Sequence, residues 1–265
     1  MLSAVIPVLN EENALPLVLA NLRQINKLTS AFFILNGCTD KSAEVIKKSK
    51  TACRKIIISY PETLGFDIPR AIGAYQALKY PCRAILFLDG DTADDIHHCL
   101  NDLANAVLHE HVDLALTNCY PYPAKRFAQA AEVLAARSEL NRILGLFHDL
   151  GLASPSHGPL CVSAQSVRQI GTAALAVPPL FLAKLRQNNG TIKVASALSS
   201  RKWYGVPRDD EHNRLIAETI IGDTKAAKNY YLYNRLDREG HIGAHPKRNF
   251  HALKMLTGED MTAYF

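Results

Sequence analysis

The stretch ILFLDGDTADD, Ile85–Asp95, places two carboxylates one residue apart where an apolar run ends. In extended backbone Asp89 and Asp91 project to the same side, and Gly90, lacking a Cβ, lets a ligand approach the main chain closely. Two like charges about 4 Å apart repel by roughly 4 kcal/mol at an effective dielectric near 20, and a divalent cation removes that penalty. Hard oxygen donors suit Mg2+ or Mn2+, which complete their shells with water and substrate phosphate. The competing reading is a solvated acidic turn before a helix whose N-terminus favours Asp94 and Asp95. The motif alone does not separate the two.

The surrounding pattern sets where such a motif sits. Up to about residue 117, the β-rich runs AVIPVL, AFFIL, KIIIS, RAILFL and VDLALT alternate with helical patterns, which predicts βαβ units and an α/β, doubly wound, mostly parallel sheet flanked by helices. Leu15, Val18, Leu19, Leu22 and Ile25 fall on one helical face, as do Ile68, Ala71, Ile72, Tyr75 and Leu78. In such a sheet the ligand crevice lies outside the carboxyl ends of the strands. The segments there are LNEE, NGCTD, YPETLGFDIPR and DGDTADD, all polar or glycine-bearing. After Asn118 come an amphipathic helix from about Phe127 to Leu146, the loop DLGLASPSHGP, the strand-like PLCVS, another helix and the strand-like TIKVA. One domain over 1–222 is expected, with a nucleotide half to about 117 and an acceptor half from 118, followed by a helix around Ile216 to Leu236 and a tail within 223–265. The tail, with His241, His245, Lys247 and Arg248, either folds over the acceptor or is a solvated extension, the second being preferred.

The 265 residues are 48% hydrophobic and 21% charged, a globular composition that excludes disordered and fibrous classes. MLSAVIPVLNEE lacks a basic leader and reads as a first strand. The apolar TAALAVPPLFLA is well short of the ~20 residues of a transmembrane helix. The six cysteines form no CxxC pair, which argues against a zinc site and for reduced thiols in the cytoplasm. A net charge of +5 fits an anionic substrate without calling for nucleic acid.

The segments AVIPVLNEENALPLVLANL, ILNGCTDKSAEVIKK, LGFDIPRAIGAYQAL and ILFLDGDTADD, in this order and spacing, resemble the family 2 glycosyltransferases of GT-A (Rossmann-like) fold, among them the dolichol-phosphate mannosyltransferase-like enzymes. The resemblance covers about the first hundred residues closely, weakens towards 222 and is absent from the tail. It implies that Pro7, Leu9 and Glu11 line a nucleoside pocket, with Glu11 on the ribose. Asn36 falls where many relatives have an acid that reads the base, a departure that leaves the base open, and Asp40 shapes the same loop. Gly65 and Arg70 lie beside the nucleotide, where Arg70 either contacts phosphate or is a solvated arginine at a helix start. Asp89 and Gly90 face the sugar nucleotide, and Asp91 holds the metal. The retaining relatives that make glucosyl-phosphoglycerate and mannosylglycerate have a His-x-Arg context like that of His212 and Arg214. This implies His212 as a metal ligand and Arg214 as a diphosphate or acceptor-phosphate contact. Trp203 and Tyr204 either close the site or belong to the core. The relatives also suggest a homodimer.

Inverting members use an acid on the acceptor-side helix as general base, but AVPPLFLAKLRQNNG has none. Such a base contributes about 10² to 10⁴ in rate. Its absence leaves three routes: an acceptor already anionic, retention with the departing diphosphate taking the proton, or an acid from elsewhere such as Asp149. The loop with Ser154, Ser156, His157 and Gly158 aligns with the relatives' acceptor loop. It either cradles an acceptor phosphate or carboxylate or is a polar connection stiffened by Pro155 and Pro159. The reading is transfer of a hexose from a nucleoside diphosphate sugar, UDP before GDP, to a small anionic acceptor, with Mn2+ or Mg2+ and retention favoured. The alternatives are a sugar-phosphate nucleotidyltransferase, for which LNEENALP offers no Gly-rich phosphate loop, and a catalytically silent sugar-nucleotide-binding homologue.

Overall fold

The structure, a computed structural model, describes residues 1–120, 128–198 and 209–261. Strands β1 (Leu2–Val8), β2 (Leu28–Asn36), β3 (Arg54–Tyr60), β4 (Ala84–Phe87) and β5 (Leu114–Asn118) alternate with helices α1 (Leu15–Arg23), α2 (Ser42–Lys48), α3 (Ile68–Ala77) and α4 (His97–His109). The second half adds α5 (Ala128–Ile143), α6 (Phe147–Leu150), β6 (Leu160–Ser163), α7 (Ala164–Ile170), α8 (Pro178–Gln187), β7 (Ile192–Ala197), α9 (Asp210–Tyr233) and α10 (Phe250–Thr257). Among the described residues these strands form one seven-stranded sheet, ordered β3-β2-β1-β4-β6-β5-β7. Every pairing is parallel except those of β6 with β4 and β5.

Helices cover both faces, so β1 is apolar on both sides, as parallel strands covered on both faces are. Leu2, Ala4, Ile6 and Val8 pack with α1 and α4, while Val5 packs with α3 on the opposite face. The antiparallel course of β6 has a functional consequence. Phe87 at the exit of β4 lies opposite Leu160 at the entry of β6, so the loop feeding β6 arrives at the edge where β4 delivers Asp89.

Helix α9 starts before the apolar stripe near Ile216. The Asp209 carboxylate accepts the His212 N–H at 2.7 Å, and Asp210 and Glu211 occupy the positive first turn. It ends at Asn234, in the left-handed conformation. The division expected at 222 falls inside this helix. The preference for a solvated tail is overturned: Phe250, Leu253 and Met261 are buried in the core that also holds Val5 and Ile68. No described helix is long and apolar enough to cross a membrane. All six cysteines are free thiols.

Candidate functional site

Beyond Phe87 the chain turns instead of continuing as a strand. The Thr92 N–H and Oγ1 both donate to the Asp89 carbonyl, at 3.3 and 2.7 Å. Strand alternation therefore does not aim Asp89 and Asp91 to one side, contrary to the sequence expectation. Gly90 also meets a constraint that the sequence did not reveal. Its N–H donates to the Pro7 carbonyl at 3.1 Å, and a Cβ there would lie 2.6 Å from that same oxygen. Close approach of β1 by itself requires glycine here.

Arg70, at the start of α3, is buried and not solvated. Its Nη2 donates to Asp89 Oδ1 at 2.6 Å, its Nε lies 3.5 Å from Asp67 Oδ1, and its Nη1 donates to the Pro155 carbonyl at 3.4 Å. The guanidinium also feels Asp91, so it relieves much of the like-charge repulsion in the acidic turn. Asp67 sits in the left-handed region, φ 61°. Burial pushes its carboxyl up to about 6, against the pull of Arg70 and Arg248.

The loops after β1 and β2 lace together beside this turn. The Glu11 N–H donates to Ser42 Oγ at 2.9 Å, and the Glu12 and Ser42 N–H groups donate to the two Asp40 oxygens at 3.0 and 2.9 Å. Burial works against the Asp40 carboxylate, but these bonds from Ser42 and Glu12 hold it below the usual range. Asn36 is buried, and its Oδ1 accepts the Leu64 N–H at 2.5 Å, fixing the loop before α3. Leu9 is exposed and Pro7 half-buried. Gly65 has φ +87°, and a Cβ on it would meet the Lys247 carbonyl at 2.6 Å. The Asn249 N–H donates to the Leu64 carbonyl at 2.8 Å. The C-terminal segment is thus packed on the loop before α3.

In the loop into β6, the Ser154 and Ser156 hydroxyls are buried and hydrogen-bonded at 2.9 Å. Thr117 Oγ1 donates to the Pro159 carbonyl at 2.7 Å, and Asn141 Nδ2 donates to the Gly151 and Ala153 carbonyls. His157 stacks on Tyr120 with centroids 5.3 Å apart. Burial, then Arg137 and Arg70, push its imidazole far below the ordinary value, so it is neutral. Gly158 takes φ +82°. The loop is tied by hydrogen bonds to β5 and α5.

The structure gathers Pro7, Leu9, Glu11, Asn36, Asp40, Gly65, Arg70, Asp89, Gly90 and Asp91 along one sheet edge, with Ser156, His157 and Gly158 facing them across β4 and β6. His212 is exposed in the first turn of α9. Arg214 pairs with Glu211 at 3.0 Å and Glu218 at 3.2 Å on its own helix. Among the described residues no three His, Cys, Asp or Glu side chains converge on a metal position. Asp149 is exposed beside His148, and α8, where the base was sought, is packed by Leu180, Phe181, Leu182 and Leu185 into the core. Trp203 and Tyr204 lie outside the described residues.

Sequence reasoning missed several buried charges. Asp223 pairs with Arg238 and with Arg248, the latter at 2.6 Å, and Arg248 also donates to the Ala176 carbonyl at 3.1 Å. Such pairs join distant segments and leave no local pattern. Arg137 and Asn141 did leave one. They fall on the helical stripe of Val133, Leu140 and Leu144, all buried, and polar residues on an apolar stripe mark buried polar positions.

No curated protein sequence matches the chain significantly. Solved structures of glucosyl-3-phosphoglycerate synthase from Mycobacterium tuberculosis share its fold. One, in complex with Mn2+, UDP and glucosyl-3-phosphoglycerate, gives a TM-score of 0.63 at 16% identity, covering 86% of this chain and 80% of that one. Another, with Mg2+ and UDP, gives 0.61 at 15% identity over 86% and 79%. The sheet and its flanking helices are accordingly of the GT-A, Rossmann-like type. The sequence model of glycosyl transferase family 2 matches residues 3–160, which is more than half of the chain and includes both the acidic turn and the loop into β6. The chain belongs to glycosyl transferase family 2.

Proposed function

We propose that this glycosyltransferase moves a hexose from a nucleoside diphosphate sugar, UDP before GDP, to a small acceptor carrying a phosphate or carboxylate. The carrying observation is the double grip of Arg70 on Asp89 of the acidic turn and on the Pro155 carbonyl of the loop into β6. One buried cation fixes the two loops between which a sugar would pass. Pro7, Leu9 and Glu11 receive the nucleoside, with Glu11 on the ribose and Asn36 near the base.

Mn2+ or Mg2+ fits this edge as a cation brought in with the nucleotide. The protein builds no three-residue cage among the described residues, and such ions take one or two carboxylates and fill the rest of their shell with phosphate oxygens and water. Asp91 is the assigned carboxylate and His212 the second ligand. When bound, the cation neutralises charge on the leaving diphosphate. Arg214 is assigned to the diphosphate or acceptor phosphate. With no acid on α8 to take the acceptor proton, retention of configuration is favoured. The neighbouring synthase has been crystallised with Mn2+, UDP-glucose and phosphoglyceric acid together, which supports the same classes of ligand here. Six free thiols suit the reducing cytoplasm.

Family membership sets the nucleotidyltransferase reading aside. The test is product analysis with UDP-glucose, Mn2+ and phosphoglycerate. Release of UDP together with a glucosylated acid is expected. Failure of every UDP- and GDP-hexose to turn over with any anionic acceptor would contradict the proposal.

A further inference from the structure

Arg137 on α5 is only 2% exposed and heads the fully buried side chains by size. Its Nη1 donates to the Tyr120 hydroxyl at 3.3 Å, its Nε has no acceptor, and no carboxylate pairs with it among the described residues. The other buried arginines near the site are compensated: Arg70 by Asp67 and Asp89, Arg238 and Arg248 by Asp223. The stretches 121–127 and 199–208 contain Lys125, Arg126, Arg201, Lys202 and Arg208 but no acid, and the terminal TAYF has no acidic side chain. Those segments therefore offer Arg137 no acidic side chain either. A buried charge without a counter-charge is costly and invites an ion from outside.

Its surroundings say which ion. Tyr120 stacks on His157 of the loop into β6, and that imidazole lies in the fields of Arg137 and Arg70 together. The Cys119 thiol likewise feels both Arg137 and Asp89. Arg70 is neutralised by Asp67 at the start of α3 and Asp89 of the acidic turn, whereas Arg137, which reaches His157 through the stacked Tyr120 ring, is not.

We propose that Arg137 is the counter-charge for the anionic group of the acceptor, a phosphate or carboxylate, with the Tyr120 hydroxyl and the His157 ring beside it. The inference rests on the transferase reading above and adds to it the residue that selects acceptors by charge. An uncharged acceptor would leave Arg137 buried and unpaired, which penalises the wrong substrate instead of only rewarding the right one.

Thermal unfolding of the full chain tests this. UDP with Mg2+ is titrated first; then, with that pair saturating and ionic strength held constant, inorganic phosphate or glycolate. Wild type should show a saturable rise in midpoint with one of the two anions, the larger response distinguishing phosphate from carboxylate. In Arg137→Met the half-saturating anion concentration should rise about tenfold or more, while the response to UDP and Mg2+ persists. Arg137→Gln serves the same purpose if the methionine variant does not fold. An anion response equal in wild type and variant, or absent from wild type, overturns the assignment. A structural arginine would instead give a lower midpoint with an unaltered anion response. Loss of the UDP response in wild type itself would count against the transferase reading and not against Arg137.

Discussion

Arg70 Nη2 and Asp89 Oδ1 lie 2.6 Å apart, and this pair joins the start of α3 to the acidic turn that follows β4. The same guanidinium reaches the Pro155 carbonyl, so the acidic turn and the loop into β6 are tied to one side chain. Arg70→Met should leave the buried Asp67 without its cation and cost about 3–5 kcal/mol in denaturant unfolding. Arg70→Lys keeps the charge but not the fork that reaches three partners, and should fall between wild type and the methionine variant. Equal stability of all three would mean the pair does not organise the turn.

Gly90→Ala should weaken donor binding more than it weakens the fold. The added Cβ meets the Pro7 carbonyl at 2.6 Å, a backbone atom without rotamers, so the turn must move away from β1. The expected result is a rise in the donor KM with a stability loss of about 1–3 kcal/mol, read from kinetics and unfolding on one preparation. An unchanged KM would show that the turn and β1 do not jointly shape the donor site.

The Asp67 carboxyl, raised to about 6 by burial from an ordinary 3.8, makes stability depend on pH. Between about pH 4 and 6 the folded chain keeps a proton that the unfolded chain has released. The carboxyl's contribution is therefore complete below that window and is lost as pH rises through it, by up to about 3 kcal/mol. Asp67→Asn does not titrate. The stability of wild type minus that of the variant should fall from pH 4 to 7 and then level off. A flat difference would contradict the shift.

Gly65→Ala should loosen the C-terminal segment. At φ +87°, with the Lys247 carbonyl 2.6 Å from the new Cβ, the variant carries both backbone strain and a clash, about 1–3 kcal/mol in sum. Limited trypsin digestion should then cut sooner after Arg238, Lys247 or Arg248 than in wild type. Identical cleavage rates would show that the tail is not held against this loop.

The sequence and the fold agree where structure is set locally. The helical stripes from Leu15 and Ile68 and the five alternating strands up to Asn118 stand where periodicity puts them, because apolar spacing and burial are the same physical fact. The turn at Gly90 was less readable, since alternation describes a strand and cannot say where it stops. Asn36 shows another limit. Its amide oxygen is engaged by Leu64 twenty-eight residues later in the chain, a bond that only tertiary packing creates. The antiparallel β6 and the Asp223–Arg248 pair belong to the same class. The tail reads as solvated in the sequence because its polar residues outnumber the few, Phe250, Leu253 and Met261, that anchor it.

The most direct measurement is calorimetric titration of UDP into wild type and Asp91→Asn, each with Mn2+ and with EDTA. The isosteric variant removes the negative charge while leaving the Arg70–Asp89 pair in place. The expected result is binding to wild type that needs Mn2+ and weakens by about tenfold or more in Asp91→Asn. Binding of UDP with equal affinity in EDTA, or by Asp91→Asn with Mn2+ as tightly as by wild type, would contradict a cation held at this turn.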